Sequence, residues 1–244
     1  MTPASPTRRL GLLLAAALLA WPPGTPRAAP VEVRRDPGRG LVLADGRVLV
    51  LAAIRPAIDE SDLAAALATL LPEPARLELD ATTTDRHGRV RAQARGGDGV
   101  WLQESLVRAG RAIVVPEPGH EAALPALLAA EAEARTARRG AWAGPEPPLA
   151  EAAAAGRLVG RWAIVDAVVT RAVAREHEIL LDTGADWRRD FTVRIARFEL
   201  PAWKAVGRDP TTLEGRRIRV RGLVFWSAGP MIDVVVPEQV EERR

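Results

Sequence analysis

Short apolar runs separated by turn residues dominate the chain between residues 31 and 96. A longer run rich in alanine and leucine interrupts them and predicts a helix over 61–71, capped by Ser61 and ended by Pro72. The short runs have the length and β-branched content of strands. They predict strands at 31–35, 41–43, 47–54, 76–81 and 90–94. Three strands, a helix and two strands are the order of a five-stranded barrel of the oligonucleotide-binding (OB) type.

Apolar residues then recur at helical spacing in two segments. One helix is predicted over 101–109, where Gly110 ends it, and a second over 121–139. The proline-rich stretch that follows, 144–148, predicts a stiff connection. We therefore expect a first domain at 30–143, a linker at 144–156 and a second domain at 157–244.

The second domain repeats the same order of elements. Strands are predicted at 159–174, as one long bent strand, and at 179–182, 190–195, 215–226 and 231–236. A short helical segment at 201–206 precedes the fourth of them. The predicted fold class is mainly β with helices (α+β), in which a five-stranded OB barrel with C-terminal helices precedes a second, smaller OB-like β-barrel.

The first 29 residues have the pattern of an export signal. Arg8 and Arg9 precede an apolar run at 10–20, which a Pro-Pro-Gly breaker follows. The run is shorter than the ~20 residues that a membrane-spanning helix needs. We expect a periplasmic or secreted protein without a mature transmembrane segment. An uncleaved membrane tether is the alternative, because no clean small-x-small cleavage pattern precedes Pro30.

Charge and cysteine content narrow the chemistry. The chain carries a net charge of +3, but Arg8, Arg9 and Arg27 lie in the predicted signal, so the mature protein is close to neutral. Charge therefore gives no general reason to expect nucleic-acid binding. Cysteine is absent, which excludes disulfides, thiolate catalysis and Cys-zinc sites. The sequence shows no Ser-His-Asp order and no Gly-rich phosphate loop.

Three stretches of the first domain carry a family resemblance. They read TDRHGRV at 84–90, GVWLQESLVRAGRAIVV at 99–115 and LLAAEAEARTARRGAWA at 127–143. They resemble the DRYGR-type turn, the V-x-E-x-L-V-x-x-G-x-A helix and the closing G-x-W of the staphylococcal nuclease (thermonuclease) family. The resemblance covers roughly residues 39–143 and implies the same OB-type barrel that the strand order predicts.

The family cleaves DNA or RNA with calcium, using metal-binding carboxylates, a glutamate that helps to activate water and two arginines that stabilise the phosphate. The resemblance places Arg39 and Arg55 where the two metal-binding aspartates would be. It places Val50 at the first arginine and Ile58 at the glutamate. The second arginine, Arg89, is retained.

Two charge reversals weigh heavily against a calcium site. At ~5 Å and an effective dielectric constant of ~20, each unit charge interacts with a dication by about 6–7 kcal/mol. We therefore expect no metal site and no cofactor. Calcium binding is the alternative, and it requires a shifted loop that places Asp59 or Glu60 as a ligand. Asp36 lies just outside the first acidic motif. Against this alternative, Asp59 and Glu60 also suit an acidic helix start.

The remaining family positions are altered as well. Val115 and Glu117 replace the tyrosines that pack near the bound nucleotide, and His87 replaces the tyrosine of the turn. Arg89 is expected to be vestigial, in a turn that persists because Gly88 joins two strands. A residual role of Arg89 in phosphate binding is the alternative.

A cluster in the second domain is the candidate for nucleic-acid binding. The stretch DWRRDF at 186–191 brings Trp187, Arg188 and Arg189 together at the start of a strand. Interleaved aromatic and basic residues bind single strands by stacking and phosphate contact. The alternative is that Trp187 and Phe191 belong to the core and that the arginines pair with neighbouring aspartates.

Two functions are consistent with these features. The first is an exported, non-catalytic binding or scaffolding protein, whose partner is nucleic acid or a protein of the cell envelope. The second is a calcium-dependent nuclease that acts through displaced carboxylates. The changes at Arg39, Val50, Arg55 and Ile58 favour the first.

Overall fold

The first half of the protein forms the predicted barrel. The computed structural model describes residues 29–145, 147–186 and 188–243, and the predicted export signal lies outside them except for Ala29. Five strands close the barrel in the order β1-β2-β3-β6-β5, with β3 parallel to β6. These strands are β1 (Val31–Asp36), β2 (Gly40–Leu43), β3 (Val48–Leu51), β5 (Ala75–Thr84) and β6 (Val90–Gly96). The strand order confirms the predicted OB-type barrel.

Alternation along β6 separates the inside of the barrel from its outside. Val90, Ala92 and Ala94 are buried in the core cluster of the first half. Successive strand residues point to opposite faces, so Arg91 and Gln93 lie on the outer face. A short pair of strands outside the barrel, β4 (Ile54–Pro56) and β7 (Ala112–Val114), joins the segment after β3 to the segment after the second helix.

Three helices pack on the first barrel, and two of their starts differ from the prediction. They are α1 (Glu60–Leu70), α2 (Leu102–Arg108) and α3 (Leu124–Thr136). Asp59 caps α1 in place of Ser61, since its Oδ1 accepts the N–H of Asp62 at 2.9 Å and the hydroxyl of Ser61 at 2.6 Å. A 3-10 turn, Glu121–Ala123, precedes α3, because Pro125 favours the first turn of a helix.

The ends of α2 and α3 meet at two glycines of the family-like motifs. Gly110 and Gly140 have φ angles of +69° and +51°. The N–H of Ala141 donates to the carbonyl of Gly110 at 3.0 Å. A Cβ on Gly110 would lie 2.2 Å from the carbonyl oxygen of Arg139. Both positions therefore need glycine, for the backbone angle and for the close approach.

The second half folds into a β-rich sheet with the strand order of the first barrel. The order is β10-β11-β12-β14-β13-β9-β8, with β15 paired to β13 and with β12 parallel to β14. The strands are β8 (Leu149–Glu151), β9 (Trp162–Val168), β10 (Arg171–Ala174), β11 (Glu178–Asp182), β12 (Thr192–Ala196), β13 (Arg217–Trp226), β14 (Pro230–Val234) and β15 (Val240–Arg243). The short helix α4 (Leu200–Ala205) lies between β12 and β13. β9 and β10 are successive parts of the predicted bent strand, so the sheet curls back on itself in an OB-like order.

The segment predicted as a linker takes part in this sheet. β8 lies within 144–156 and pairs in parallel with β9, and the 3-10 segment Ala152–Leu158 follows it. The proline-rich stretch ends immediately before β8, so that a strand at the edge of the second sheet directly follows the first half.

A buried ion pair joins the two halves. The guanidinium of Arg221 on β13 donates to Glu131 on α3 at 2.8 Å, and the two side chains are 0% and 1% exposed. Glu131 also accepts the N–H of Val114 at 2.8 Å. An apolar cluster that includes Trp142 and Ile164 also contains residues of both halves. None of the helices described here is long and apolar enough to span a membrane.

Candidate functional site

Arg39, at the first of the compared metal positions, has structural partners. Its Nη2 donates to the carbonyl of Gly46 at 2.8 Å, and its backbone N–H donates to Asp36 at 3.0 Å. Asp36 also accepts the N–H of Gly38 at 3.0 Å, and this hydrogen bond is the main cause of the lowered pKa of Asp36. Arg39 and Asp36 therefore fix the β1–β2 turn against the β2–β3 hairpin.

Arg55, at the second metal position, contacts the other half of the protein. It lies on β4, in register with Ile113 of β7. Its guanidinium carbon is 5.7 Å from the centre of the Trp162 ring on β9, within the range of a cation–π contact. Burial lowers the pKa of Arg55, and the charge of Glu60 opposes that shift. Arg55 is thus a cation at the position that the family resemblance compares with a metal-binding aspartate.

The two positions that the resemblance compares with the family's first arginine and its glutamate carry no polar side chain. Val50 is half-buried on β3, in register with Arg91, and Ile58 is 60% exposed after β4. Asp59, the candidate for a displaced ligand, uses its carboxylate to cap α1, and the hydroxyl of Ser61 is the main cause of its lowered pKa. Glu60 interacts with Arg55 instead.

These residues do not fit a calcium ion. Calcium takes 6–8 oxygen ligands at 2.3–2.6 Å, usually with several carboxylates among them. Among the described residues, no three histidine, cysteine, aspartate or glutamate side chains are grouped so that they could hold a metal ion. Asp36 and Asp59 lie close in sequence to the positions that the resemblance compares with metal ligands. Asp36 accepts hydrogen bonds within the β1–β2 turn, and Asp59 caps α1.

Arg89, the retained family arginine, is bound within its own turn. Its Nε donates to Asp85 Oδ2 at 2.7 Å, and Gly88 has the positive φ, +74°, that the turn requires. Desolvation alone would raise the pKa of Asp85, but the hydrogen bonds from Arg89 and from the backbone of His87 lower it to about 2. His87 is exposed. Arg89 thus has a clear structural role in the β5–β6 turn.

A charged cluster that the sequence did not predict lies around Glu117, which the family resemblance compares with a tyrosine. Glu117 accepts the backbone N–H of Ala53 at 2.7 Å. Ala53 has a positive φ of +62°. Glu117 also forms an ion pair with Arg91 on the outer face of β6. His120 is 2% exposed beside them, and burial is the main cause of its lowered pKa. Glu117 therefore ties the β3–β4 connection to the segment after β7. The register of β3 and β6, which places Arg91 there, is not readable from the sequence.

The predicted cluster at 186–191 lies in the connection between β11 and β12. Trp187 is outside the described residues. Arg188 and Arg189 are exposed on a turn, where their backbone N–H groups donate to Asp186 at 3.1 and 2.9 Å. Phe191 is 1% exposed in the core of the second half, so the expectation that it is a core residue is confirmed. Nucleic-acid binding at Trp187, Arg188 and Arg189 stays a prediction.

A cleft on the outer face of the second sheet escaped prediction. It has a volume of about 230 Å³, and Arg171, Arg175 and Arg194 line it around Leu180 and Met231. The signal in the sequence is the spacing of two arginines in RAVAR at 171–175, which puts them on one face of a strand. The third arginine comes from β12, which only the strand order brings alongside.

The barrel and its helices define the first half as an OB-type domain. A model of the family described as Staphylococcal nuclease homologue matches residues 64–144. No curated protein matches the chain. Residues 64–144 are therefore similar to the staphylococcal nuclease homologue family. The matched range begins beyond Arg39, Val50, Arg55 and Ile58, so the family match rests on the helices and the β5–β6 turn.

Proposed function

We propose that this protein is an exported, non-catalytic binding protein whose nuclease-family domain serves as a scaffold for the second sheet. The observation that carries the proposal is Arg55. It is a cation at a position where the family holds calcium, and its guanidinium lies against Trp162 of the second half. A carboxylate at this position would lose the cation–π contact with Trp162.

The other polar residues at or near the positions of the family's site support the same conclusion. Arg39 is bonded within the β1–β2 turn, and Asp59 caps a helix. Arg89 is paired with Asp85, which removes it from a free phosphate-binding position. Each of these polar groups stabilises local structure, and a phosphate would have to displace those bonds. Export is the expectation from residues 1–29, and a periplasmic or secreted location follows from it.

The proposal predicts that the purified mature protein does not cleave single-stranded DNA or RNA when calcium is present. The physical reason is that two arginines and two apolar residues stand where the family needs carboxylates and a phosphate-binding cation. The measurement is release of acid-soluble nucleotides from labelled DNA and RNA, with EDTA as the blank.

An Asp59→Asn variant separates the protein's own activity from a contaminant. Calcium-dependent cleavage that this variant abolishes would show that a displaced carboxylate acts as a ligand, and the protein would then be a nuclease. Cleavage that the variant retains in full, and that separates from the protein on a further column, would leave the proposal standing.

A further inference from the structure

His120 is a buried histidine whose ring makes no hydrogen bond to the rest of the protein. It lies between β7 and the 3-10 turn Glu121–Ala123, and it is 2% exposed. Neither of its ring nitrogens has a hydrogen-bond partner among the described residues. A protonated imidazole carries two N–H donors and a charge, and burying either without a partner is unfavourable. The buried site therefore favours the neutral ring.

Four charged groups act on this ring. They come from its own connection, from the 3-10 turn, from β5 and from β6, and they are Glu117, Glu121, Asp80 and Arg91. Burial is the main cause of the lowered pKa of His120, the three carboxylates oppose that shift and Arg91 adds to it. Of the four charges, that of Glu117 has the largest effect on the pKa. A proton on His120 is therefore stabilised most by Glu117.

Glu117 is engaged on both of its carboxylate oxygens while His120 is neutral. Its Oε1 accepts the backbone N–H of Ala53 at 2.7 Å, and its Oε2 accepts the guanidinium of Arg91. The other two carboxylates bond within their own segments, since Asp80 accepts the N–H of Ala81 and Glu121 that of Gly119. A protonated His120 thus competes for the one carboxylate that joins separate parts of the barrel.

Ala53 depends on this carboxylate for its conformation. It is fully buried and has a φ of +62°, which is a strained angle for a residue with a side chain. Its N–H donates to Glu117, and its carbonyl accepts the N–H of Val115 at 2.8 Å. The segment 115–117 therefore holds Ala53 from both sides, and without Glu117 only one of these bonds is left.

The strained residue leads directly into the contact between the two halves. Ala53 immediately precedes β4, and β4 carries Arg55, whose guanidinium carbon lies 5.7 Å from the centre of the Trp162 ring. β4 has three residues and pairs with β7 in a two-stranded sheet. Because so short a strand has few bonds of its own, its position depends on the connection that holds its start. A change at Ala53 therefore reaches Arg55 two residues later.

We propose that His120 is a pH sensor for the contact between the two halves. When its ring takes up a proton, it becomes a partner for Glu117 and draws the carboxylate away from Ala53 and Arg91. The β3–β4 connection then loosens, and the contact of Arg55 with Trp162 weakens with it. The inference rests on the proposed function in taking that contact as the link between scaffold and second sheet, and it adds a means of regulating the link.

The stability of the protein is expected to fall as the pH is lowered from about 7.5 to about 5. Burial holds the pKa of folded His120 below the ordinary value of ~6.5, so the unfolded chain binds the proton first. The stability is complete above that ordinary value and is lost as the pH falls towards the folded pKa. The equilibrium constant of unfolding should rise by up to about tenfold per pH unit, the limit for one proton. Urea unfolding of the mature protein in EDTA, at constant ionic strength, measures this rise.

His120→Phe removes the titrating group and keeps a ring of similar size. Because neither nitrogen of His120 is hydrogen-bonded, this variant should be at least as stable as the parent at pH 7.5, and the histidine-dependent fall should disappear. The matched control is His177→Gln, which alters a side chain that is 87% exposed. The control should keep the pH dependence of the parent.

The local step is measured by hydrogen exchange of the Ala53 N–H, expressed as protection relative to the intrinsic rate at each pH. In the parent, this protection should fall as His120 titrates. Glu117→Gln keeps an oxygen that can accept the Ala53 N–H but has no charge to attract the imidazolium. In that variant the overall stability should still fall with pH, while the protection of Ala53 no longer follows the titration of His120. This comparison does not depend on the folding of His120→Phe.

Three outcomes would overturn the inference. The first is a stability of the parent that does not change between pH 7.5 and 5, and the second is an unchanged pH dependence in His120→Phe. The third is protection of Ala53 that stays constant in the parent or falls equally in Glu117→Gln. These measurements contain neither calcium nor nucleic acid, so their failure leaves the cleavage test of the proposed function untouched. Calcium-dependent cleavage, in turn, would overturn the proposed function and leave the titration of His120 as measured.

Discussion

Replacing Arg221 with methionine is expected to lower the free energy of unfolding by about 3–5 kcal/mol, because it leaves the carboxylate of Glu131 buried without its cation. Both side chains are excluded from solvent, and Arg221 also pairs with Glu241. Burial alone would lower the pKa of Arg221, but the charges of Glu131 and Glu241 raise it overall. Urea unfolding followed by tryptophan fluorescence measures the loss.

Two variants make this measurement specific. Arg194→Met removes an ion pair on the surface, where the side chains are 35% and 46% exposed, and should cost only ~0–1 kcal/mol. Glu131→Gln/Arg221→Met removes both buried charges and should recover part of the loss. A loss in Arg221→Met no larger than that in Arg194→Met would show that the ion pair does not hold the two halves together.

Replacing Gly110 with alanine is expected to cost about 3 kcal/mol or more, from a positive φ and an overpacked contact together. The added Cβ would lie 2.2 Å from a backbone carbonyl of the next segment, which cannot move as a side chain could. Gly88→Ala is the matched control, because its φ is +74° but nothing lies within 4 Å of the added Cβ.

The two glycine variants therefore separate backbone strain from the clash. Gly88→Ala should cost only ~1–2 kcal/mol, the penalty for the left-handed conformation itself. Thermal or urea unfolding of the two proteins gives the difference. Equal losses would mean that the segment at Gly140 moves aside, and that the close approach of the two family-like motifs is not needed for stability.

The order of the main strands and helices along the chain could be predicted in both halves because it depends on local signals. Short β-branched runs, turn glycines and a proline-ended helix are each readable within a few residues. The predicted start of α1 differs from the observed one because two residues, Asp59 and Ser61, could each cap the helix. β8 was missed because three residues directly after a proline-rich stretch carry too little periodicity to show a strand.

The candidate site was harder to predict because its contacts join distant parts of the chain. Arg55 meets Trp162, and Glu117 meets Ala53 and Arg91, only when the elements pack. The cleft arginines come from β10 and β12, whose register depends on the strands between them. The family resemblance compares Arg39, Arg55 and Ile58 with carboxylates of the family, but the sequence does not show what these side chains contact.

The effect of calcium on stability tests most directly whether the protein lacks the family's calcium site. A ligand at ~100 times its Kd that binds only the folded state raises stability by about 2.7 kcal/mol, which is several degrees in Tm. Because Arg39 and Arg55 repel a dication, we expect no shift in Tm with millimolar calcium beyond that with magnesium at equal ionic strength, with or without a nucleoside diphosphate. A calcium-specific rise in Tm that Asp59→Asn removes would contradict the account.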